Sequence, residues 1–243
     1  MKTSTTEARN PESLTKITAK FFTPMWLDFD RQITSALLRR DAFLDRVIAS
    51  EVTVLDENLS ERQLQSGKAK KYVSDALQRM GGHGTPAPTQ VSIVVKMTTA
   101  HKLNEVCKKH RVNRDAFLNR LVALLRASDK FLSLLDLPLK VSQTKRAGTE
   151  DMPTSPLKAI EEVEFNALYY LRAACRERHD CGLYDLPFPN ALAGMECYVE
   201  DEDIPGTKAN AEKLKREQEL VAALEFLDTF EGNIVPSTKT KGA

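Results

Sequence analysis

The sequence predicts a mainly α-helical chain with one short two-stranded antiparallel β-ribbon, and three observations carry that expectation. Arg40-Asp41-Ala42-Phe43-Leu44-Asp45-Arg46-Val47-Ile48-Ala49 returns 74 residues later as Arg114-Asp115-Ala116-Phe117-Leu118-Asn119-Arg120-Leu121-Val122-Ala123, with seven of ten positions identical. Polar and apolar residues alternate upstream of each copy, from Lys16 to Phe21 and from Gln90 to Met97. Elsewhere, apolar residues recur at the three- and four-residue spacing of a helix face.

In the second copy, Val91, Ile93, Val95 and Met97 alternate with Gln90, Ser92, Val94 and Lys96, a period of two rich in β-branched residues that predicts a strand. Thr98 or Thr99 is the expected cap of a helix from about Ala100 to His110, with Leu103, Val106 and Cys107 as its stripe. Asn113 is the expected N-cap of a second helix whose Phe117, Leu118, Leu121, Val122 and Leu125 share one face. The same offset lays Thr15–Phe21 over Thr89–Val95, so the first copy begins with a strand in which Ile17, Ala19 and Phe21 alternate with Lys16, Thr18 and Lys20. Pro24 interrupts it, and Phe29, Ile33 and Leu37 suggest a short or irregular helix before Phe43, Leu44, Val47 and Ile48 repeat the second one.

A single strand has no ladder partner of its own, so each copy must pair with the other. The pleat then turns Ile17, Ala19, Phe21, Val91, Ile93 and Val95 toward the helices, and Lys16, Thr18, Lys20, Gln90, Ser92 and Val94 outward together.

The rest of the chain divides around these copies. Residues 1–14 read as a flexible N-terminal tail, 15–59 as module 1, 60–88 as a helical linker, 89–139 as module 2, 140–156 as a linker and 157–243 as an acidic helical C-terminal module. Within the first linker a helix is expected over 60–80, broken by Gly81-Gly82-His83-Gly84-Thr85-Pro86. In the last module, helices are expected over 157–178 and 208–230, the second with Leu214, Val221, Leu224 and Leu227 as its seam and Gly232 past its end.

Of 243 residues, 42% are hydrophobic and 28% charged, the balance of a globular protein rather than a disordered one. No apolar run approaches the ~18 residues of a membrane span, and Met1–Pro11 lacks the apolar core of a signal peptide. Cysteines at 107, 175, 181 and 197, with no C-x-x-C pair, fit reduced thiols, so a cytoplasmic protein is expected. The net charge of +1 conceals segments of −1 over residues 1–59, +11 over 60–146 and −9 over 147–243. A middle third this basic suits a polyanionic partner; a solubilising helix face gives the same count.

The strand ending in Val95-Lys96-Met97, the helix to His110, the turn Arg111-Val112-Asn113-Arg114 and the helix from Asp115 resemble the ribbon-helix-helix fold of Arc, MetJ and CopG-type DNA-binding proteins. The resemblance covers roughly residues 15–59 and 89–128, as a tandem pair forming an intramolecular pseudo-dimer where the family is usually a homodimer. It implies a sequence-specific regulator of double-stranded DNA, of repressor, antitoxin or plasmid accessory type, with no cofactor. In that family the ribbon enters the major groove and the start of the second helix grips a phosphate, which suits the dimensions of the groove and the dipole of the helix. By resemblance, Lys16, Thr18, Lys20, Gln90, Ser92 and Val94 become base contacts, and Arg39, Arg40, Lys96, Lys108, Lys109, Arg111, Asn113 and Arg114 phosphate contacts. Two readings stay open beside it: a solvated ribbon face, and a protein-interaction or adaptor module that uses the same fold and its acidic C-terminal region, where a protein partner or self-association is also placed.

No enzyme motif emerges, and a non-enzymatic protein is expected. His83, His101 and His110 form no pattern with Ser, Cys or Asp, and the glycines at 81, 82 and 84 lack the order of a phosphate-binding loop. Cys175, His179, Cys181 and Cys197 hold the atoms of a zinc site, but their spacing matches none of the usual structural patterns and reads as unlinked thiols. The acidic run Glu200-Asp201-Glu202-Asp203 lacks the glycine and terminal Glu of a calcium loop.

Overall fold

The protein is described by a computed structural model over residues 13–80, 87–137 and 167–231. The expected N-terminal tail to Glu12, the Gly81–Pro86 breaker, the 140–156 linker, the helix start at 157–166 and Gly232 lie outside the described residues.

Two strands form as their alternation requires. β1 (Leu14–Phe21) pairs antiparallel with β2 (Thr89–Lys96), in a register that sets Lys16 against Val94, Thr18 against Ser92 and Lys20 against Gln90. Ile17, Ala19, Phe21, Ile93 and Val95 are buried beneath the ribbon, each large side chain contributing about 1.5–3 kcal/mol relative to exposure. Val91 is half-buried at the edge of that layer.

Each strand is followed by two helices. α1 (Thr23–Ser35) and α2 (Arg40–Leu59) follow β1, α3 (Gly67–Arg79) connects, and α4 (Met97–Lys109) and α5 (Arg114–Leu125) follow β2. The boundaries of α1 and α4 differ by 74 residues at both ends, and so do the starts of α2 and α5. The turns agree as well: Leu37 and Arg111, 74 residues apart, adopt left-handed φ values of 58° and 57°.

Four expectations differ. The first helix is not short or irregular: Pro24, beyond the end of β1, lies in its first turn, where a missing N–H costs nothing, and α1 is as long and regular as α4. Leu37 falls past the end of α1, in the left-handed turn, and is 93% exposed instead of continuing the stripe of Phe29 and Ile33. Neither Thr98 nor Thr99 caps α4, because the helix starts at Met97 directly from the strand and Thr99 is buried within it. The expected helix over 60–80 begins only at Gly67, where the Ser66 hydroxyl accepts the Ala69 N–H at 3.0 Å.

Beyond α5 lie α6 (Asp129–Leu134) and α7 (Tyr169–His179). The sequence places a separate module from 157 onward, yet Leu168, Leu171, Cys175, Leu183, Tyr184, Leu186, Phe188, Met195 and Cys197 share one hydrophobic cluster with the ribbon and its helices. The chain divides instead between Val199 and Glu200. Buried polar contacts add to that apolar attachment of the 167–199 stretch. Arg120 of α5 is fully buried, donates to the carbonyls of Leu183 (2.7 Å) and Leu186 (2.5 Å), pairs with Glu196 at 3.1 Å and lies 4.0 Å from the Phe188 ring centroid. On α2, the buried Glu51 accepts from the Tyr184 hydroxyl at 2.7 Å and from Arg172. Gly194 packs so close to α3 that a Cβ there would meet the Leu77 backbone at 2.5 Å. The second unit, from Glu200, holds a short 3-10 turn (Asp201–Asp203) and α8 (Lys208–Glu231), tied by Lys213 to Asp203 at 2.6 Å.

Candidate nucleic-acid interface

The ribbon leaves alternate backbone N–H groups on its two outer edges without a strand partner, and the second helices supply the acceptors. Asp41 of α2 accepts the Val94 N–H at 3.1 Å and Asp45 that of Lys96 at 2.9 Å. On the other edge, Asp115 of α5 accepts the Lys20 N–H at 3.2 Å and Asn119 that of Phe22 at 2.9 Å. Every donor and acceptor in one set is 74 residues from its counterpart in the other. Asn119 also donates to the Lys20 carbonyl, at 2.7 Å. Each strand is therefore held by the helix of the opposite copy, which fixes the ribbon against slippage.

The outer face is the expected set. Lys16, Lys20, Gln90 and Ser92 are exposed, and Thr18 and Val94 half-buried between them. At its centre Thr18 Oγ1 and Ser92 Oγ, themselves related by the 74-residue repeat, lie 3.4 Å apart. This face carries two lysines from β1 and, at the end of β2, the exposed Lys96.

The flanking cations divide. Arg39, Lys108 and Arg111 are exposed near the ribbon helices. Four residues expected to meet phosphate have intramolecular duties instead. Arg40 lies over the Trp26 ring and is bonded to Asp41 (2.8 Å) and Asp30 (3.2 Å); burial lowers its pKa, but these two carboxylates together raise it. Arg114 donates to the Thr18 carbonyl at 2.6 Å, and Lys109 to Asp56 at 2.8 Å. Asn113 caps α5, its Oδ1 accepting from the N–H groups of Asp115 and Ala116, so those donors are taken. α2 has no side-chain cap, which leaves its first turn the more open of the two.

The excess positive charge of the middle third thus partly neutralises internal partners: Arg114, Arg120, Arg126 (to Asp28) and Lys109 all serve the fold. The edge-clamping carboxylates were missed by sequence reasoning, although Asp41 and Asp115 recur at matched positions and that recurrence was the available signal.

The Cys175, His179, Cys181 and Cys197 set, read from the sequence as unlinked thiols, is divided in the fold. Cys175 and Cys181 approach to 3.8 Å between sulfurs, but His179 turns away to the Leu135 carbonyl at 3.1 Å. Among the described residues no group of three or more His, Cys, Asp or Glu side chains is arranged to hold a metal ion. Burial pushes the thiols of Cys107, Cys175 and Cys197 up to about 12. No helix among the described residues is long and apolar enough to cross a membrane. No protein-family model, curated protein or solved structure matches the chain.

Proposed function

We propose that this chain is a sequence-specific regulator of double-stranded DNA, built from two ribbon-helix-helix modules that form a pseudo-dimer within one polypeptide. The observation that carries the reading is the outer ribbon face: six side chains in register about the Thr18–Ser92 pair, polar but for Val94, with Lys16 and Lys20 projecting from it. A two-stranded ribbon fits the major groove, where lysine reads guanine and glutamine reads adenine, and an apolar side chain meets a thymine methyl. Lys96, Arg39, Lys108 and Arg111 are the phosphate contacts in this reading. Because β1 presents Lys-Thr-Lys and β2 presents Gln-Ser-Val, the site read is asymmetric.

Selection of bound duplexes from a random library, followed by mobility shift at about 50 and 200 mM salt, tests it; contacts to about six phosphates make affinity fall ~10³-fold over that range. Charge reversal at Lys16 and Lys20 abolishes retention without lowering the unfolding temperature, since both side chains are outside the core. A double variant that binds as tightly as the parent defeats the assignment.

Exposed Leu214, Leu220 and Val221 on α8 favour a second role for the C-terminal unit, as an element of self-association or partner binding.

A further inference from the structure

Two sulfurs at the end of α7 have no part in the DNA reading. Cys175, fully buried on α7, and Cys181, half-exposed just past the helix, lie 3.8 Å apart between sulfurs. The chain fixes Cys181 from both sides. Before it, Asp180 closes the helix in the left-handed conformation at φ 50°, its N–H donating to the Arg176 carbonyl at 3.1 Å, and this turn sends Cys181 back over the helix face that carries Cys175. After it, Gly182 packs against the Asn58 side chain of α2, and the Leu183 carbonyl accepts from the buried Arg120 at 2.7 Å. Cys107 and Cys197 are buried, so solvent reaches the thiols of this chain at Cys181.

We propose that Cys175 and Cys181 form a redox modification site, converted by a peroxide into an intramolecular disulfide. The accessible sulfur of Cys181 attacks the peroxide first; the O–O bond breaks, one oxygen stays on sulfur as a sulfenic acid and the other leaves as water with the thiol proton. The sulfur of Cys175 then attacks that of Cys181; the S–O bond breaks, and the hydroxyl leaves as a second water with the Cys175 proton. Two thiols are oxidised by two electrons in total, which one peroxide takes up. Burial, and after it the neighbouring Cys181, push the Cys175 thiol up to about 12, so Cys175 serves as the second sulfur and not the first. Contact between the sulfurs makes the second step intramolecular and favours it over further oxidation or linkage to another molecule. The bond formed ties α7 to the chain just before Leu183, the residue that Arg120 of α5 holds. The site does not depend on DNA binding.

The full-length protein is treated with a small molar excess of hydrogen peroxide at neutral pH, alkylated in denaturant and digested without reductant by trypsin and a Glu-specific protease. Two of the four thiols are expected to disappear, replaced by a cross-linked peptide pair carrying Cys175 and Cys181 that dithiothreitol separates. Cleavage after Glu177 and Glu196 parts Cys181 from Cys175 and Cys197, so the pairing is read directly. Cys181→Ser, at a half-exposed position, is expected to keep the parent's unfolding temperature and all three of its remaining thiols under the same dose. Recovery of Cys181 as a free thiol, as a dimedone-trapped sulfenic acid or as a sulfinic acid, with no bond to Cys175, overturns the proposal. So does a disulfide that joins two protein molecules or pairs Cys181 with Cys197, or loss of thiols in Cys181→Ser equal to that in the parent.

Discussion

Asp41 accepts the backbone N–H of Val94, and Asp115 accepts that of Lys20, so two aspartates 74 residues apart each hold the strand of the opposite copy. Each bond uses an ionised acceptor on a strand edge that has no further strand to satisfy it. Asp41→Ala and Asp115→Ala are each expected to lower stability by about 1–3 kcal/mol in urea unfolding. The clamps lie on different edges, so the double variant loses roughly the sum.

Arg120 and Arg46 occupy equivalent positions and differ in surroundings, which separates burial from residue type. Arg120→Met removes the cation paired with Glu196 and the donor to two carbonyls in a closed site, and is expected to destabilise by about 3 kcal/mol or more. The same change at the exposed Arg46 is expected to shift stability by less than about 1 kcal/mol. Denaturant titration of both variants checks the contrast.

Thiol labelling reads the core directly. Cys107, Cys175 and Cys197 are buried with pKa values of about 12, whereas Cys181 is half-exposed. At pH 8, one equivalent of a maleimide is expected to react in the native protein, at Cys181, and four in denaturant, by mass spectrometry of the digested product.

Asp56 carries an acid-dependent contribution. Its hydrogen bond from Lys109, reinforced by the one with His110 at 2.5 Å, holds its carboxyl below the ordinary 3.8 against the opposing effect of burial. A carboxyl depressed in the folded state stabilises above the unfolded-state value and loses that contribution as pH falls through the folded one. The difference in unfolding temperature between the parent and Asp56→Asn is therefore present at neutral pH and shrinks as the pH drops below 3.8.

Local pattern was sufficient for the ribbon and its orientation. Period-two alternation at Lys16–Phe21 and Gln90–Lys96 implies one buried and one exposed face, and the duplication implies a partner strand; the register that sets Thr18 against Ser92 was decided by the fold. Helix starts were less legible, since Pro24 reads as a break until its place in the first turn is known. Among the site residues, Lys16, Lys20, Gln90 and Ser92 lie where alternation puts them, exposed on one surface.

Tertiary structure alone decided which charges remain at that surface. Arg46 and Arg120 sit at matched positions of a ten-residue repeat with seven identities, yet a segment more than sixty residues downstream closes over Arg120. Arg40 and Arg114 were likewise assigned to Asp30 and to the Thr18 carbonyl by contacts across the fold. Periodicity records which side of an element avoids water, because that preference acts on each residue through its own neighbours. The partner of a polar head group is chosen by whichever distant chain arrives with the right donor or acceptor, and that information has no local signature.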